Sequence, residues 1–329
     1  MMKYDMRIFC GSSSVDFTNK ICNYLNIIKG DSDVITFSEG NTYVRINEPV
    51  RGKDVYLVQS IGLRPNDEFV EILFWMDAFK RASAKSVTAI IPYFSYAKGD
   101  KKDEPRVSIR ARVCAECIEL AGADRIITMD LHSPQIQGFF KKPVDHLQAM
   151  LLFCEQIKLL NLENYVIVSP DAGYAKQARE YSKYLGVSTV IADKARVGHN
   201  EKADILDVIG DVKGKNIVIV DDFIISGGTL IDLSYKLKKL GAQKIISCTS
   251  HILSNEKSIQ QLDRSEISMF ITTDSIYNPS INLSSKIKVV SAVPLFSEVI
   301  LRIHNNISIS SLFNALPEKA IKISDRHNY

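Results

Sequence analysis

The sequence lacks the features that mark membrane, secreted and nucleic-acid-binding proteins. Its 329 residues contain no apolar run near the roughly 20 residues that span a bilayer. The first residues, MMKYDMRIFCGSSS, include no stretch apolar enough for a signal peptide. The net charge is only +3, so composition favours neither a nucleic-acid nor a membrane partner. We therefore expect a cytoplasmic protein, with about two domains for this length.

Cysteine is too sparse and too scattered to build a metal or redox centre. Of the six cysteines, only Cys114 and Cys117 form a CxxC pair, inside the helix-like stretch RARVCAECIELAG. No second CxxC or histidine pair completes a zinc site, so we expect reduced structural thiols. The chain also lacks the GxxxxGK[ST] phosphate loop and a dinucleotide-binding glycine fingerprint.

What the sequence does contain is an alternation of short apolar runs with amphipathic stretches. Runs such as DVYLVQS, SVTAIIPYF, YVIVSPD and NIVIVDD read as buried strands, and NDEFVEILFWMDAFKRA reads as a helix. Continuous apolar strands separated by helices indicate parallel sheets that are covered on both faces. The predicted fold class is therefore α/β, with mostly parallel sheets flanked by helices.

An internal similarity predicts how these elements are organised. The segments EPVRGKDVYLVQS (48–60) and GDVKGKNIVIVDD (210–222) align without gaps, and each precedes an amphipathic helix and a further strand. Their separation of 162 residues is about half the chain. We predict two tandem copies of one fold, with domains at 1–148 and 149–329; chance similarity of two strand–helix units is the alternative.

The stretch IVIVDDFIISGGTL (217–230) is the strongest candidate for a binding site. Its two aspartates follow an apolar run, where ligands bind at the carboxyl end of a parallel sheet. The glycine pair lets backbone approach a ligand, and the start of the next helix favours an anion. We expect Ser226 and Thr229 to cap that helix. The first copy has Gln59-Ser60 and Arg64–Asp67 at the matching positions.

A sugar phosphate suits both ends of this loop, because the acids accept hydrogen bonds from hydroxyl groups and the amides hold a phosphate. The alternative is a strand that ends in solvated aspartates before a glycine turn. The candidate sugar-phosphate residues are Asp221, Asp222, Ser226, Gly227, Gly228 and Thr229.

The same loop is similar to the phosphoribosyl pyrophosphate (PRPP) loop of type I phosphoribosyltransferases. The rest of the chain resembles the ribose-phosphate pyrophosphokinases, also called PRPP synthetases, over nearly its full length. The segments that carry this resemblance include FSEGNTYVRINEPVRGKDVYLVQS, TMDLHSPQIQGFF, VIVSPDAG, ADKAR and ISISSLF.

The resemblance implies two tandem phosphoribosyltransferase-like domains and a defined reaction. It implies that the diphosphoryl group of MgATP passes to the C1 hydroxyl of ribose 5-phosphate, giving PRPP and AMP. The first domain would bind ATP and form a homo-oligomer, commonly a hexamer, and the second would hold the sugar phosphate. Lys194 and Arg196, in ADKARVGHNEKAD, would be the catalytic residues of a lid; alone, that run reads as a solvated loop.

Metal ligands follow from the same resemblance. His132 of TMDLH lies after an apolar run, where a lone histidine is more often a hydrogen-bonded structural residue than a ligand. The resemblance makes it a ligand of Mg²⁺, together with Asp171 of VIVSPDAG. Mg²⁺ usually takes one or two protein ligands and completes its shell with water and phosphate oxygens.

ATP-binding residues are implied in the first domain. Phe37 and Glu39 of FSEGN would contact adenine, and Lys98 and Asp100 of YFSYAKGDKK would contact the nucleotide, as would His132. Without the resemblance, the first segment reads as a turn and the second as a charged surface loop.

Four positions depart from the pattern of the family. Ile225 stands where many members have Asp, Asn41 replaces a common Glu, Lys98-Gly99 replace an Arg-Gln pair, and Ala195 interrupts a basic cluster. Ile225, Asn41 and Gly99 leave one alternative to an active PRPP synthetase, a non-catalytic paralogue that regulates an active subunit. The loop at 217–230, taken alone, also permits a phosphoribosyltransferase that consumes PRPP.

Overall fold

The computed structural model describes residues 5–195 and 204–316 of the chain. These residues divide into two compact units. The first unit comprises the described residues up to Gln148, together with Ser275–Tyr277 and the described residues from Ala292 onward. The second comprises the described residues of Ala149–Asp274, together with Asn278–Ser291. The first unit thus draws on segments that are far apart in the sequence.

The first unit is built around a parallel sheet. The strands of this unit are β1 (Met6–Cys10), β2 (Ser32–Thr36), β3 (Thr42–Ile46), β4 (Asp54–Val58), β5 (Ser86–Ile91), β6 (Arg125–Met129) and β7 (Val144–Leu147). Five of them form the parallel sheet, in the order β1-β4-β5-β6-β7. Strands β2 and β3 form a separate antiparallel hairpin.

The helices of the first unit come from both ends of the chain. They are α1 (Val15–Leu25), α2 (Pro65–Arg81), α3 (Arg110–Ala121) and α8 (Val293–His304), with short 3₁₀ turns at Ser95–Lys98, Pro134–Phe139 and Ser310–Phe313. Helix α2 buries Trp75, Met76 and Phe79, and the ring centroids of Phe79 and Phe9 are 4.9 Å apart. This apolar face of α2 supplies much of the core of the unit.

The second unit has a larger sheet. Its strands are β8 (Tyr165–Ser169), β9 (Thr189–Ala195), β10 (Asp204–Ile209), β11 (Asn216–Ile224), β12 (Ile245–Ile252), β13 (Met269–Thr273) and β14 (Ile287–Val290). Its helices are α4 (Met150–Leu159), α5 (Ala175–Leu185), α6 (Gly228–Lys239) and α7 (Glu256–Asp263), with a 3₁₀ turn at Pro279–Leu283. The strand order is β10-β9-β8-β11-β12-β13-β14, and every pair is parallel except β9 with β10. The predicted α/β fold with mostly parallel sheets is confirmed.

The tandem repeat is visible in backbone detail. Gly52 and Gly214 occupy equivalent turns, and both have φ 71°. That value lies in the left-handed region that glycine adopts without a steric cost. In each turn the next lysine N–H bonds to a valine carbonyl, at 3.1 Å from Lys53 and 3.2 Å from Lys215. The order β8-β11-β12-β13-β14 then repeats β1-β4-β5-β6-β7, so the prediction of two copies of one fold is confirmed.

No helix in the described part of the chain is both long and apolar enough to cross a bilayer.

Candidate active site

The adjacent aspartates Asp221 and Asp222 of the second unit lie within a strand rather than after one. Strand β11 continues through Asp221 and Asp222 to Ile224, so the expectation that the strand ends at the acids is wrong. Pairing of β11 with β8 covers Asn216–Ile219, whereas pairing with β12 continues to Ile224. Because β12 is long enough to supply partners, the acids stay in extended backbone beyond the end of β8.

Burial and charge repulsion perturb the carboxyl group of Asp221. Asp222 is 5% exposed. Burial of the Asp221 carboxyl group raises the pKa of Asp221 well above the ordinary value, and the charges of Asp222 and Asp171 raise this pKa further. The Asp222 amide donates to Asp221 Oδ1 at 3.0 Å, and the Phe223 amide donates to Asp222 Oδ1 at 2.9 Å. Three carboxylates therefore concentrate negative charge that a cation or hydroxyl donors would stabilise.

The glycine pair forms the start of helix α6. Gly227 is the N-cap residue, with φ 77°, and as a glycine it has no side chain that could cap the helix. Ser226 and Thr229 thus lie on either side of the N-cap position rather than in it. The first ladder bond runs from Ile231 N to Gly227 O at 3.0 Å. The N–H groups of residues 228–230 precede that ladder and lie at the positive end of the helix.

Hydrogen bonds from residues that follow β12 hold the backbone of the loop between β11 and α6. Leu253 N donates to Ile224 O at 2.8 Å, and Ser254 Oγ donates to Ile225 O at 2.7 Å. The Ile225 side chain is 46% exposed. Ser226 and Gly228 are exposed as well. The loop is thus anchored through its backbone on one side and presents its residues to solvent on the other.

Asp171 follows the neighbouring strand β8. Its Oδ1 accepts from Tyr174 N at 3.0 Å, and its carbonyl accepts from Ser169 Oγ at 2.6 Å. Among the described residues, no group of three or more His, Cys, Asp or Glu side chains has the geometry of a metal site. A site with one or two carboxylates still fits Mg²⁺, which prefers oxygen ligands and keeps several waters. The charge repulsion at Asp221 favours a cation nearby.

In the first unit, Phe37 and Glu39 lie at the turn of the β2–β3 hairpin. Phe37 N donates to Asn41 O at 2.9 Å and closes the turn. The Phe37 ring is 46% exposed, and its centroid lies 6.0 Å from that of Tyr43. Asn41 Nδ2 donates to Glu39 Oε1 at 3.3 Å. An exposed ring beside a carboxylate is the arrangement that can stack on a base and accept its amino hydrogen bonds.

Lys98 and Asp100 lie after strand β5. Lys98 ends the 3₁₀ turn Ser95–Lys98, and both side chains are half-buried. Between them, Gly99 O accepts from Ala111 N at 3.1 Å, which ties the segment to helix α3.

His132 lies after strand β6 and is exposed. The preceding Asp130 has φ 43°, a left-handed conformation that is uncommon outside glycine. Leu131 N donates to Nε2 of His146 at 2.9 Å, and burial lowers the pKa of His146 to about 4. The neutral imidazole of His146 therefore accepts a hydrogen bond from the backbone next to His132. His146 lies in β7 and was not among the expected site residues.

The two lid residues fall at the edge of the described part. Lys194 belongs to β9, where its Cα pairs with that of Ile205. Its side chain, and the whole of Arg196, lie outside the described residues.

The candidate residues thus divide between the units. Asp171, Asp221, Asp222 and the loop at 226–229 belong to the second unit, and Phe37, Glu39, Lys98, Asp100 and His132 belong to the first.

Comparisons with known proteins identify the family. Residues 6–122 match the model of the N-terminal domain of ribose phosphate pyrophosphokinase, and residues 188–314 match that of a phosphoribosyl synthetase-associated domain. The chain is 42% identical to a ribose-phosphate pyrophosphokinase of Campylobacter jejuni, over 93% of this chain and 98% of that protein. The chain belongs to the ribose-phosphate pyrophosphokinase family.

Other members are similar over comparable lengths. The enzyme of Thermotoga maritima is 40% identical over 94% of this chain and 98% of its own. The crystal structure of phosphoribosylpyrophosphate synthetase from Mycobacterium smegmatis superposes with a TM-score of 0.86, at 33% identity, over 92% of this chain and 99% of that one. The family expectation from the sequence is therefore confirmed, and the fold of this chain is that of a ribose-phosphate pyrophosphokinase.

Proposed function

We propose that this chain is a ribose-phosphate pyrophosphokinase that transfers the diphosphoryl group of MgATP to the C1 hydroxyl of ribose 5-phosphate, giving PRPP and AMP. The observation that carries the proposal is the acid-and-glycine loop of β11 and α6, in a chain similar to this family over 93% of its length. The role fits a cytoplasmic transferase of nucleotide biosynthesis.

The sugar phosphate binds along that loop. Asp221 and Asp222 accept hydrogen bonds from ribose hydroxyls, each contributing roughly 1.5–3 kcal/mol as a hydrogen bond to a charged group. The 5-phosphate lies against the backbone of Gly227 and Gly228 and the hydroxyls of Ser226 and Thr229. The start of helix α6 supports this placement, because its first N–H groups and its dipole favour an anion.

Asp171 and His132 are the proposed ligands of Mg²⁺, which would complete its shell with water and phosphate oxygens. When bound, the ion would supply positive charge that offsets the charge on the phosphates of ATP. The carboxylate fits this role well, and imidazole is the less usual ligand type for so hard an ion.

ATP is bound by residues of the first unit. The exposed Phe37 ring stacks on adenine, and Glu39 accepts from its amino group. Lys98, Asp100 and His132 contact the ribose and phosphates. Family members use a neighbouring subunit for part of this contact, and we propose a homo-oligomer, a hexamer by that similarity.

The transfer itself needs positioning and positive charge more than covalent chemistry. The C1 oxygen bonds to the β-phosphorus while the bond between that phosphorus and the α,β-bridging oxygen breaks. AMP leaves, and the hydroxyl proton is lost. Lys194 and Arg196 stabilise the charge that develops on the β-phosphoryl oxygens.

Product analysis tests the proposal. Purified protein with MgATP and ribose 5-phosphate should form AMP and PRPP in equal amounts. Asp222→Asn should raise the dissociation constant for ribose 5-phosphate at least tenfold, the effect of about 1.4 kcal/mol, and leave ATP affinity near normal. Asp232→Asn, at an exposed position of α6, is the matched control and should behave as the unmodified protein. Absence of AMP over a range of Mg²⁺ and phosphate concentrations would reject the enzyme.

One observation keeps a regulatory role as the second candidate. Ile225 places an exposed apolar side chain at the tip of the loop, where it offers the sugar no hydrogen bond. A regulatory paralogue would form no AMP alone and would alter the rate of a co-purified active synthetase. Nucleobase-dependent release of diphosphate from PRPP would instead favour a phosphoribosyltransferase, which the similarity over the full chain does not support.

A further inference from the structure

The first unit contains a buried carboxylate that the proposed reaction does not use. Glu71 of α2 is 3% exposed. Its Oε1 accepts from the Ser12 amide at 2.9 Å and from Trp75 Nε1 at 3.1 Å. Its Oε2 accepts from the Ser12 hydroxyl and from Gln59 Nε2 at 3.1 Å. All four donors are neutral groups, so they hold the carboxylate through hydrogen bonds without a partner charge among them.

These contacts lie at the carboxyl ends of β1 and β4 in the first unit. The equivalent edge of the sheet in the second unit is the one proposed to bind the sugar phosphate. Ser12 follows β1 and Gln59 follows β4, the equivalents of β8 and β11. Ser14 is the N-cap of α1. The Ser13 amide and hydroxyl donate to Gln59 Oε1 at 3.0 and 2.9 Å. In the serine loop (residues 12–14), the side chains of Glu71 and Gln59 therefore accept hydrogen bonds from Ser12 and Ser13.

The second copy shows that helix packing does not require this acid. The residue that the repeat places opposite Glu71 is Leu233 of α6, which is fully buried in an apolar core. A buried carboxylate costs free energy unless hydrogen bonds replace its water. The carboxylate of Glu71 thus serves to bind the serine loop and Gln59, and it is not needed to pack helix α2 against the sheet.

We propose that Glu71 is a built-in ligand of an anion site in the first copy, formed by Ser12, Gln59 and Trp75. The carboxylate of Glu71 occupies this site, so that other anions are excluded, and it positions the serine loop. The site is selective for carboxylates, because each of the two carboxylate oxygens accepts two hydrogen bonds. When the Glu71 side chain is shortened, a free carboxylate ion binds in its place.

The single tryptophan of the chain gives a direct readout. Glu71→Ala removes the atoms of an acetate ion and leaves the Trp75 indole without its acceptor, so we expect its emission to shift. Titration with sodium acetate should return the emission saturably, and should recover at least half of a drop in Tm of about 5–10 °C. Sodium chloride and acetamide at equal concentrations should do neither.

Leu233→Ala is the matched control, since it shortens the equivalent side chain of the other copy. Its Tm should fall without any recovery that is specific to acetate, and its tryptophan emission should not change. A folded Glu71→Ala protein in which acetate acts no differently from chloride would overturn the proposal.

A measurement on the unmodified chain covers the case in which Glu71→Ala does not fold. The Ser12 amide hydrogen should exchange with deuterium at the slow rate of the buried strands, although Ser12 itself is exposed. Exchange at the fast rate of an open loop would show that the carboxylate does not hold the loop, and the proposal would fail.

Discussion

Among the acidic residues expected to bind a ligand, Asp221 has a carboxyl group whose charged form is disfavoured by folding. Asp221 shares a small region with Asp222 and Asp171, and both burial and these charges raise its pKa. Glu71, in contrast, receives four hydrogen-bond donors from its own unit. This difference fits a site in the second unit that binds an external ligand, and a site in the first unit that is occupied by the side chain of Glu71.

Asp221→Asn tests the free-energy cost of that charge. A carboxyl group whose pKa is raised by folding contributes stability below its unfolded pKa, and that contribution is lost as pH rises through the folded pKa. Above both values the folded protein holds an unfavourable charge, which asparagine lacks. We expect the ligand-free variant at pH 8 to have a Tm about 2–4 °C above the unmodified protein, the shift that roughly 1 kcal/mol gives.

The measurement is a thermal melt in chelator at several pH values. The advantage of the variant should shrink as pH falls toward the range where Asp221 is protonated. A variant that is less stable at pH 8 would show that the folded protein stabilises this charge.

Among the secondary-structure elements, buried strands were predictable and polar or cap-dependent features were not. Runs such as NIVIVDD can be recognised as strands in the sequence, because a parallel strand that is covered on both faces is a continuous apolar run. The hairpin of β2 and β3 is not predicted, because each strand has only five residues and neither is a continuous apolar run. The extension of β11 to Ile224 depends on the length of β12, which no local pattern records. No local pattern marks Glu71, since three of its four hydrogen-bond donors come from Ser12 and Gln59.

The two glycines of the loop should respond differently to alanine. At Gly227, φ is 77° and a Cβ would lie 2.5 Å from Leu262 Cδ2, so Gly227→Ala should lower the free energy of unfolding by about 1–3 kcal/mol. At Gly228 the nearest atom to a Cβ is Ser226 Oγ, at 3.9 Å. Gly228→Ala should therefore leave stability within about 0.5 kcal/mol and weaken sugar-phosphate binding, because the added methyl group occupies the approach to the backbone.

Urea unfolding and calorimetric titration with ribose 5-phosphate separate the two effects. Equal losses of stability in both variants would contradict the assignment of Gly227 as the structural residue of the pair.

For the molecule as a whole, the sequence repeat predicts two copies but not how the chain is shared between them. Helix α8, from the last part of the chain, packs in the first unit beside α1. The rings of Phe17 and Phe296 meet edge to face at 5.5 Å, and Tyr24 OH donates to Glu298 at 3.0 Å. Nothing in residues 1–148 indicates this partner, because α1 reads as an ordinary amphipathic helix whose apolar face has many possible partners.

A fragment of residues 1–148 should therefore fail to fold cooperatively, although it contains one complete five-stranded sheet. Without α8 it exposes the buried side chains of α1, among them Phe17 and Ile21. Phe296→Ala in the full chain should have a related effect and destabilise the first unit by about 3–5 kcal/mol, the range for a buried phenylalanine. Circular dichroism during urea unfolding of the fragment, alone and with residues 292–316 joined through a flexible linker, measures the dependence. A sharp transition for the fragment alone would mean that the first sheet and its own helices suffice, and that α8 adds stability without being needed for the fold.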